Sequence, residues 1–197
     1  MTRPVILIPV KPFAEGKSRL APVLDAAARA ALARKLFTHV LTQALELRDE
    51  ADVLVVSRDE DALAQARAAG AGALREVCEG HNPALAQALL DLDRQERAPV
   101  LIVSSDLPWL APDDLRAMLA PPAGVSVMIA TDLEGQGTNA LYLAHPALLR
   151  LRFGEGSRAL HEAEAAKAAL GCMVMQREGL ARDIDTPDDL HILLSLA

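Results

Sequence analysis

Aromatic side chains are scarce: three Phe, one Tyr and one Trp, 3% of the 197 residues. Base stacking needs such rings in number, so a platform for single-stranded nucleic acid is excluded. Positive charge is also in short supply. Twenty Lys and Arg face 27 Asp and Glu, a net charge of -7, which does not suit the broad basic surface of a nucleic-acid binder. The two cysteines, Cys78 and Cys172, lie far apart and fit no metal spacing. They read as buried free thiols in a reducing cytosol, so a cytoplasmic protein is expected. No apolar run is long enough to cross a bilayer and the start of the chain shows no secretory pattern, so no membrane partner is expected. The five His are scattered without paired spacing and read as structural or surface residues. At 51% hydrophobic, the chain can build one well-buried core and is short for two, so a single domain over 1–197 is expected.

Short apolar runs alternate with helical patterns. "VILIPV" (5–10), "DVLVVS" (52–57) and "VLIVSS" (100–105) show no polar alternation, as strands buried on both faces do not. Residues 25–47 place Leu32, Leu36, Val40 and Leu47 at helical spacing, and the Ala-rich stretches 59–69 and 83–96 also read as helices. This βαβαβ order predicts an α/β fold with a parallel sheet. "VSVMIA" (125–130) and "NALYLA" (139–144) are close enough for an antiparallel pair, or for a strand that leaves and re-enters the sheet. A helix over 157–170, a strand at 172–175 and a terminal helix from 187 complete the pattern. Ligands of such sheets sit at the carboxyl ends of the strands, so the loops after strands are the ones to inspect.

The loop "KPFAEGKSRLAP" (11–22) contains Gly16-Lys17-Ser18, the tail of a phosphate-binding P-loop. Two features exclude that motif. Lys11 stands where the first glycine is needed, and Pro22 would break the helix that a P-loop Lys-Ser opens. Lys11, Lys17 and Arg19 still crowd nine residues of an acidic chain, which fits either an anionic ligand or a solvated charged loop.

Acids follow later strands. Asp106 ends "VLIVSSD", where either a metal ligand or a turn-capping Asp would sit. Asp113 and Asp114, beyond Pro112, are explained as first-turn acids of a helix. In "RDIDTPDDL", Thr186 is an N-cap, Pro187 a first helical residue and Asp189 completes the capping spacing. Asp183 and Asp185 have no such job. Two apart in an extended segment, their carboxylates share one side and repel unless a cation such as Mg²⁺ lies between them, or unless Arg182 or solvent satisfies them. Two further loops resemble anion sites. "EGQGTNAL" brings Gly135, Gly137 and the Thr138 hydroxyl before a strand, and "FGEGSRALHEA" puts Gly154 and Gly156 before Ser157, read as a helix N-cap.

Together, "IPVKPFAEGKSRLAP", "GHNPAL", "SSDLPWLAPDDL", "GQGTNAL", "FGEGSRALH" and "RDIDTPDDL" resemble the CofC/FbiD-type guanylyltransferases of deazaflavin coenzyme F-420 biosynthesis, in family order and over nearly the whole chain. Three features depart from the family pattern: Glu155 where a proline is expected, Arg158 where an aromatic is expected, and His81 and Pro83 flanking Asn82. The resemblance implies a Rossmann-like, GT-A-type nucleotidyltransferase with a mixed, mostly parallel sheet flanked by helices. It implies transfer of GMP from GTP to the phosphate of a three-carbon phosphoacid, phosphoenolpyruvate or 2-phospho-L-lactate, with release of pyrophosphate. It implies Mg²⁺ held by Asp106, Asp183 and Asp185. Lys17 and Arg19, with Lys11, would hold the triphosphate, and Gly80 and Asn82 would lie near the guanine or ribose. Thr138, Gly154 and Ser157 would hold the phosphoacid. His161, one turn past Ser157, either faces that ligand or lies on the helix surface. The product would pass to the deazaflavin transferase of the pathway. The oligomeric state stays open, a homodimer included. Other readings are a molybdenum-cofactor or sugar-phosphate nucleotidyltransferase, a small-molecule kinase, and a non-catalytic nucleotide-binding protein on the same scaffold. The glycine-poor first loop argues against the first, Lys11 and Pro22 against the second, and three intact acids against the third.

Overall fold

The computed structural model describes residues 3–78, 80–97 and 99–195. The helices are α1 (Ala26–Leu45), α2 (Glu60–Ala68), α3 (His81–Arg94), α4 (Pro112–Leu119), α5 (Ser157–Lys167), α6 (Glu178–Ala181) and α7 (Pro187–Ser195). The strands are β1 (Val5–Val10), β2 (Asp52–Ser57), β3 (Gly72–Arg75), β4 (Val100–Val103), β5 (Val127–Ala130), β6 (Ala140–Leu143) and β7 (Cys172–Met175). They form one seven-stranded sheet in the order β3-β2-β1-β4-β6-β5-β7. Among the described residues β6 alone runs antiparallel to its neighbours β4 and β5.

Every residue of β1 and β4 is buried, which is why these strands show no polar alternation. On one face, α1, α2 and α4 cover Ile6, Ile8 and Val55 with Phe37, Val40, Leu63 and Leu115. On the other, α3 and α5 cover Val5, Leu7 and Ile102 with Leu85, Leu89 and Ala165. Helices on both faces leave the loops at the strand ends as the place for a site.

The chain moves outward from β1 to β2 and β3, then returns to place β4 on the other side of β1. That reversal opens a crevice beyond the carboxyl ends of β1 and β4. Because β6 is antiparallel, its amino end lies at the same edge, with Ala140 opposite Val103.

The strands differ from the sequence reading in several places, and the helix read over 157–170 ends at Lys167. The strand expected over 100–105 ends at Val103, and residues 105 and 106 turn away ahead of Pro108. The strands expected at 125–130 and 139–144 shorten to β5 and β6 and form the antiparallel pair. β3 was not foreseen: its four residues, GALR, are half exposed at the sheet edge and carry no apolar run.

Candidate active site

Three loops meet at the carboxyl edge, and one small apolar cluster registers them. Leu20 from the loop after β1, Ile184 from the segment after β7, and Leu36 of α1 are buried together, with Trp109 from the loop after β4 packed against them. Ile184 is fully buried. In an extended stretch its neighbours must point the other way, so Asp183 and Asp185 face one side together.

The segment carrying these acids is tied down from both directions. Arg177 Nε donates to Asp114 Oδ1 at 2.7 Å, while Asp114 Oδ2 accepts from the Ala111 N–H. Asn139 Nδ2 donates to the Leu180 carbonyl at 3.0 Å. Gly179 lies so close to Asp114 and to the Trp109 carbonyl that a Cβ there would collide with both. Asp189 Oδ2 accepts from the N–H groups of Asp185 (3.1 Å) and Thr186 (2.7 Å), and its own N–H donates to Thr186 Oγ1. The expected cap of α7 therefore also fixes the backbone of Asp185.

Asp106, Asp183 and Asp185 each present a carboxylate oxygen, all within 4.8 Å of one another. Burial, and then the charges of Asp106 and Asp185, push the Asp183 carboxyl up to about 6. Such a set of hard oxygen donors suits a divalent cation such as Mg²⁺.

Lys17 was not expected against these acids. It stands at φ 55°, ψ 36° between the buried anchors Phe13 and Leu20. This left-handed backbone is unusual away from glycine. Its side chain is only 6% exposed, and Nζ lies 2.5 Å from Asp106 Oδ2 and 3.1 Å from Asp185 Oδ1. Burial opposes its charge, but the two carboxylates outweigh burial and raise its pKa above the ordinary value. The buried cation that pairs with Asp106 and Asp185 is thus Lys17, not Arg182. Arg19 is exposed, with Nη1 3.7 Å from Asp185 Oδ2. Lys11 is exposed; burial, and then the Lys11 charge, lower the His81 pKa to about 4.

Gly80 precedes α3 at φ 102°, a value that favours glycine, and no side chain caps the helix. Asn82 grips the backbone of Phe153: Nδ2 donates to its carbonyl and Oδ1 accepts from its N–H, each at 2.9 Å. Both ends of the carboxamide expected near the base or ribose are therefore engaged by the protein. The Phe153 ring sits edge-on between His81 (5.2 Å) and His161 (4.9 Å). Sequence reasoning noted His81 only as a departure from the family pattern and missed Phe153, which carries no periodic or spacing signal.

Three expectations need correction. The two cysteines are free but not buried: Cys78 is exposed and Cys172 half-buried. Ser157 does not cap α5; Gly156 at φ 65° holds that position, and Ser157 is the buried first helical residue. Gly154, at φ 129°, accepts the Ser157 N–H through its carbonyl. His161 does not lie on the helix surface. It is fully buried, with Nδ1 3.1 Å from Thr138 Oγ1 and Nε2 accepting from the Arg152 N–H at 2.9 Å.

Burial lowers the His161 pKa to about 4, below the ordinary 6.5. The unfolded chain therefore binds more protons between pH 6.5 and pH 4. The stabilisation from the neutral ring is fully present above pH 6.5 and is lost as the pH falls toward 4, a change of about 3 kcal/mol. Between pH 7 and pH 4 in urea unfolding, His161→Gln should lose stability less steeply than the wild type, with His81 (same sign) and Asp183 (opposite sign) acting in both; equal slopes would refute it.

A profile described as "Guanylyl transferase CofC like" matches residues 4–195. The chain belongs to that family. A CofC relative from Sphaerobacter thermophilus, named phosphoenolpyruvate guanylyltransferase, is 36% identical over 189 residues, which is 96% of this chain and 91% of the relative. One from Methanothermobacter thermautotrophicus, named 2-phospho-L-lactate guanylyltransferase, is 35% identical and covers 93% and 81%. The fold matches a Desulfovibrio desulfuricans G20 structure described as a nucleotide-diphospho-sugar transferase, with a TM-score of 0.80 at 18% identity over 98% of this chain and 87% of that one. It also matches a CMP:2-keto-3-deoxy-manno-octonic acid synthetase complexed with CTP, at a TM-score of 0.63 and 18% identity over 99% and 98%. The CofC chain is thus a nucleotidyltransferase enzyme on an α/β scaffold, as the resemblance implied.

Proposed function

We propose that the protein transfers the guanylyl group of GTP to the phosphate of a three-carbon phosphoacid. Phosphoenolpyruvate, the acceptor in the name of the S. thermophilus relative, is the first candidate, and 2-phospho-L-lactate the second. The observation that carries this reading is the convergence of Lys17 with Asp106, Asp183 and Asp185 at the crevice beyond β1 and β4. An acceptor phosphate oxygen attacks the α-phosphorus, the bond to the β-phosphate oxygen breaks, and pyrophosphate leaves with that electron pair. The step needs in-line placement and charge neutralisation rather than a covalent enzyme intermediate.

Lys17 and Arg19, with Lys11 at the rim, hold the triphosphate and stabilise the departing pyrophosphate. Asp106, Asp183 and Asp185 would hold Mg²⁺, and their oxygen-only donor set fits that ion. When bound, Mg²⁺ neutralises charge on the α-phosphate, the acceptor and the leaving group. Gly80 and Asn82 shape the base side of the crevice, Asn82 through its grip on Phe153. Thr138, Gly154 and Ser157 form the acceptor side. As in coenzyme F-420 biosynthesis, the guanosine diphosphate diester would pass to a deazaflavin transferase.

Pyrophosphate release is measured with GTP, Mg²⁺ and, in turn, phosphoenolpyruvate, 2-phospho-L-lactate and 3-phosphoglycerate, with a chelator control. Release that requires GTP, metal and one acid is expected. Silence with all three, with GTP still bound, would overturn the reading in favour of a non-catalytic nucleotide-binding protein.

A further inference from the structure

We propose that His161 is a positioning residue that locks the Thr138 hydroxyl as a hydrogen-bond donor toward the acceptor phosphoacid. The inference rests on the reading that Thr138 contacts that acid.

His161 is fully buried, so it cannot itself touch a substrate. Its Nε2 accepts the Arg152 backbone N–H at 2.9 Å. A backbone N–H can only donate, so Nε2 must carry the lone pair, and the ring proton of the neutral imidazole sits on Nδ1. A protonated ring would set a second N–H against that of Arg152. Nδ1 lies 3.1 Å from Thr138 Oγ1, so Nδ1–H donates and fills a lone pair of that oxygen. The hydroxyl proton is what Thr138 then has left to offer. The opposite tautomer would draw that proton inward and present only lone pairs. Phosphates and carboxylates at neutral pH are acceptors, so the observed arrangement favours the acid and the reverse one repels it.

The tautomer is itself set from the base side of the crevice. Asn82 holds the Phe153 backbone at both ends, which fixes the neighbouring Arg152 N–H, and the Phe153 ring packs edge-on against His161 at 4.9 Å. Part-buried hydrogen bonds at Phe153 and Arg152 and the buried Thr138–His161 bond thus connect the start of α3 to the loop before β6. Such networks rigidify a site when every member is satisfied.

Two readouts test this. In the wild type, long-range proton–nitrogen spectra of imidazole-labelled protein should place the His161 proton on Nδ1, and a proton on Nε2 would refute the proposal whatever the enzyme turns over. In kinetics, His161→Gln keeps an acceptor for Arg152 but loses the donor to Thr138, whereas His161→Asn keeps a donor near the Nδ1 position. His161→Gln should raise KM for the phosphoacid about tenfold or more, as expected for a hydrogen bond to a charged group, and leave KM for GTP unchanged. His161→Asn should recover most of that loss, and His161→Gln should add little to Thr138→Val. Equal KM in the Asn and Gln variants, or parallel rises in both substrates' KM values, would leave His161 a packing residue. A wild type that turns over no phosphoacid would instead sink the functional reading, and with it the ligand assigned to Thr138.

Discussion

Asp106→Asn should lower turnover with GTP and the phosphoacid by about a thousandfold or more while the protein stays folded. Asp106 sits at the turn beyond β4 and is the one member of the three-acid set that Lys17 touches at 2.5 Å. An amide there keeps the shape but is a poorer ligand for a hard cation. Stability should change little because two effects oppose each other. Lys17 loses a charge-assisted hydrogen bond but keeps Asp185 at 3.1 Å. Asp183 loses one of the two carboxylates that, after burial, raise its pKa to about 6. The unfolding free energy should stay within about 1 kcal/mol of wild type by urea titration. A folded variant with near-normal turnover would remove Asp106 from the metal-holding set.

Lys17→Met should produce two changes of opposite sign. Turnover should fall by about 10²- to 10³-fold, because on the proposed reading the variant loses a buried cation beside the triphosphate, where charge builds on the leaving pyrophosphate. Divalent-cation binding without nucleotide should tighten, because the ammonium held by Asp106 and Asp185 no longer competes for their oxygens. Met preserves the length of the side chain, and the backbone at φ 55° strains both residues alike. Manganese binding followed by electron paramagnetic resonance, with and without GTP, separates the two effects. Unchanged manganese affinity in the nucleotide-free variant would show that Lys17 does not compete for the acids.

Much of this arrangement is visible in the residues. The runs at 5–10 and 52–57 give β1 and β2 at the expected bounds: every residue of β1 is buried, and the apolar centre of β2 is broken by no polar residue between Asp52 and Ser57. Asp183 and Asp185 stood out because Thr186 and Asp189 explained their own presence and the two acids did not. What stayed hidden depends on contacts between distant parts of the chain. The pairing of Lys17 with Asp106 and Asp185 joins three loops that no local pattern relates. The cluster of Leu20, Trp109 and Ile184 is equally invisible, although the single Trp three residues past Asp106 was an available hint. His161 was assigned by its turn spacing from Ser157, but tertiary packing buries it completely. β3 failed for the opposite reason, since an edge strand needs little apolar surface and leaves little trace.

The reversed direction of β6 brings its approach loop to the same crevice as the acids. Its approach loop, 132–138, is the tip of the β5–β6 hairpin, and Asp132 braces it by accepting from the Gln136 and Gly137 N–H groups at 2.7 Å. Hairpin tips can change length and composition while the strands below keep their pairing. The acids at 106, 183 and 185 hang from other strand ends, fixed by their own apolar plug. On the proposed reading, the part of the acceptor side that Thr138 supplies can therefore be altered by rewriting a few residues on that tip, without disturbing the acid-bearing segments.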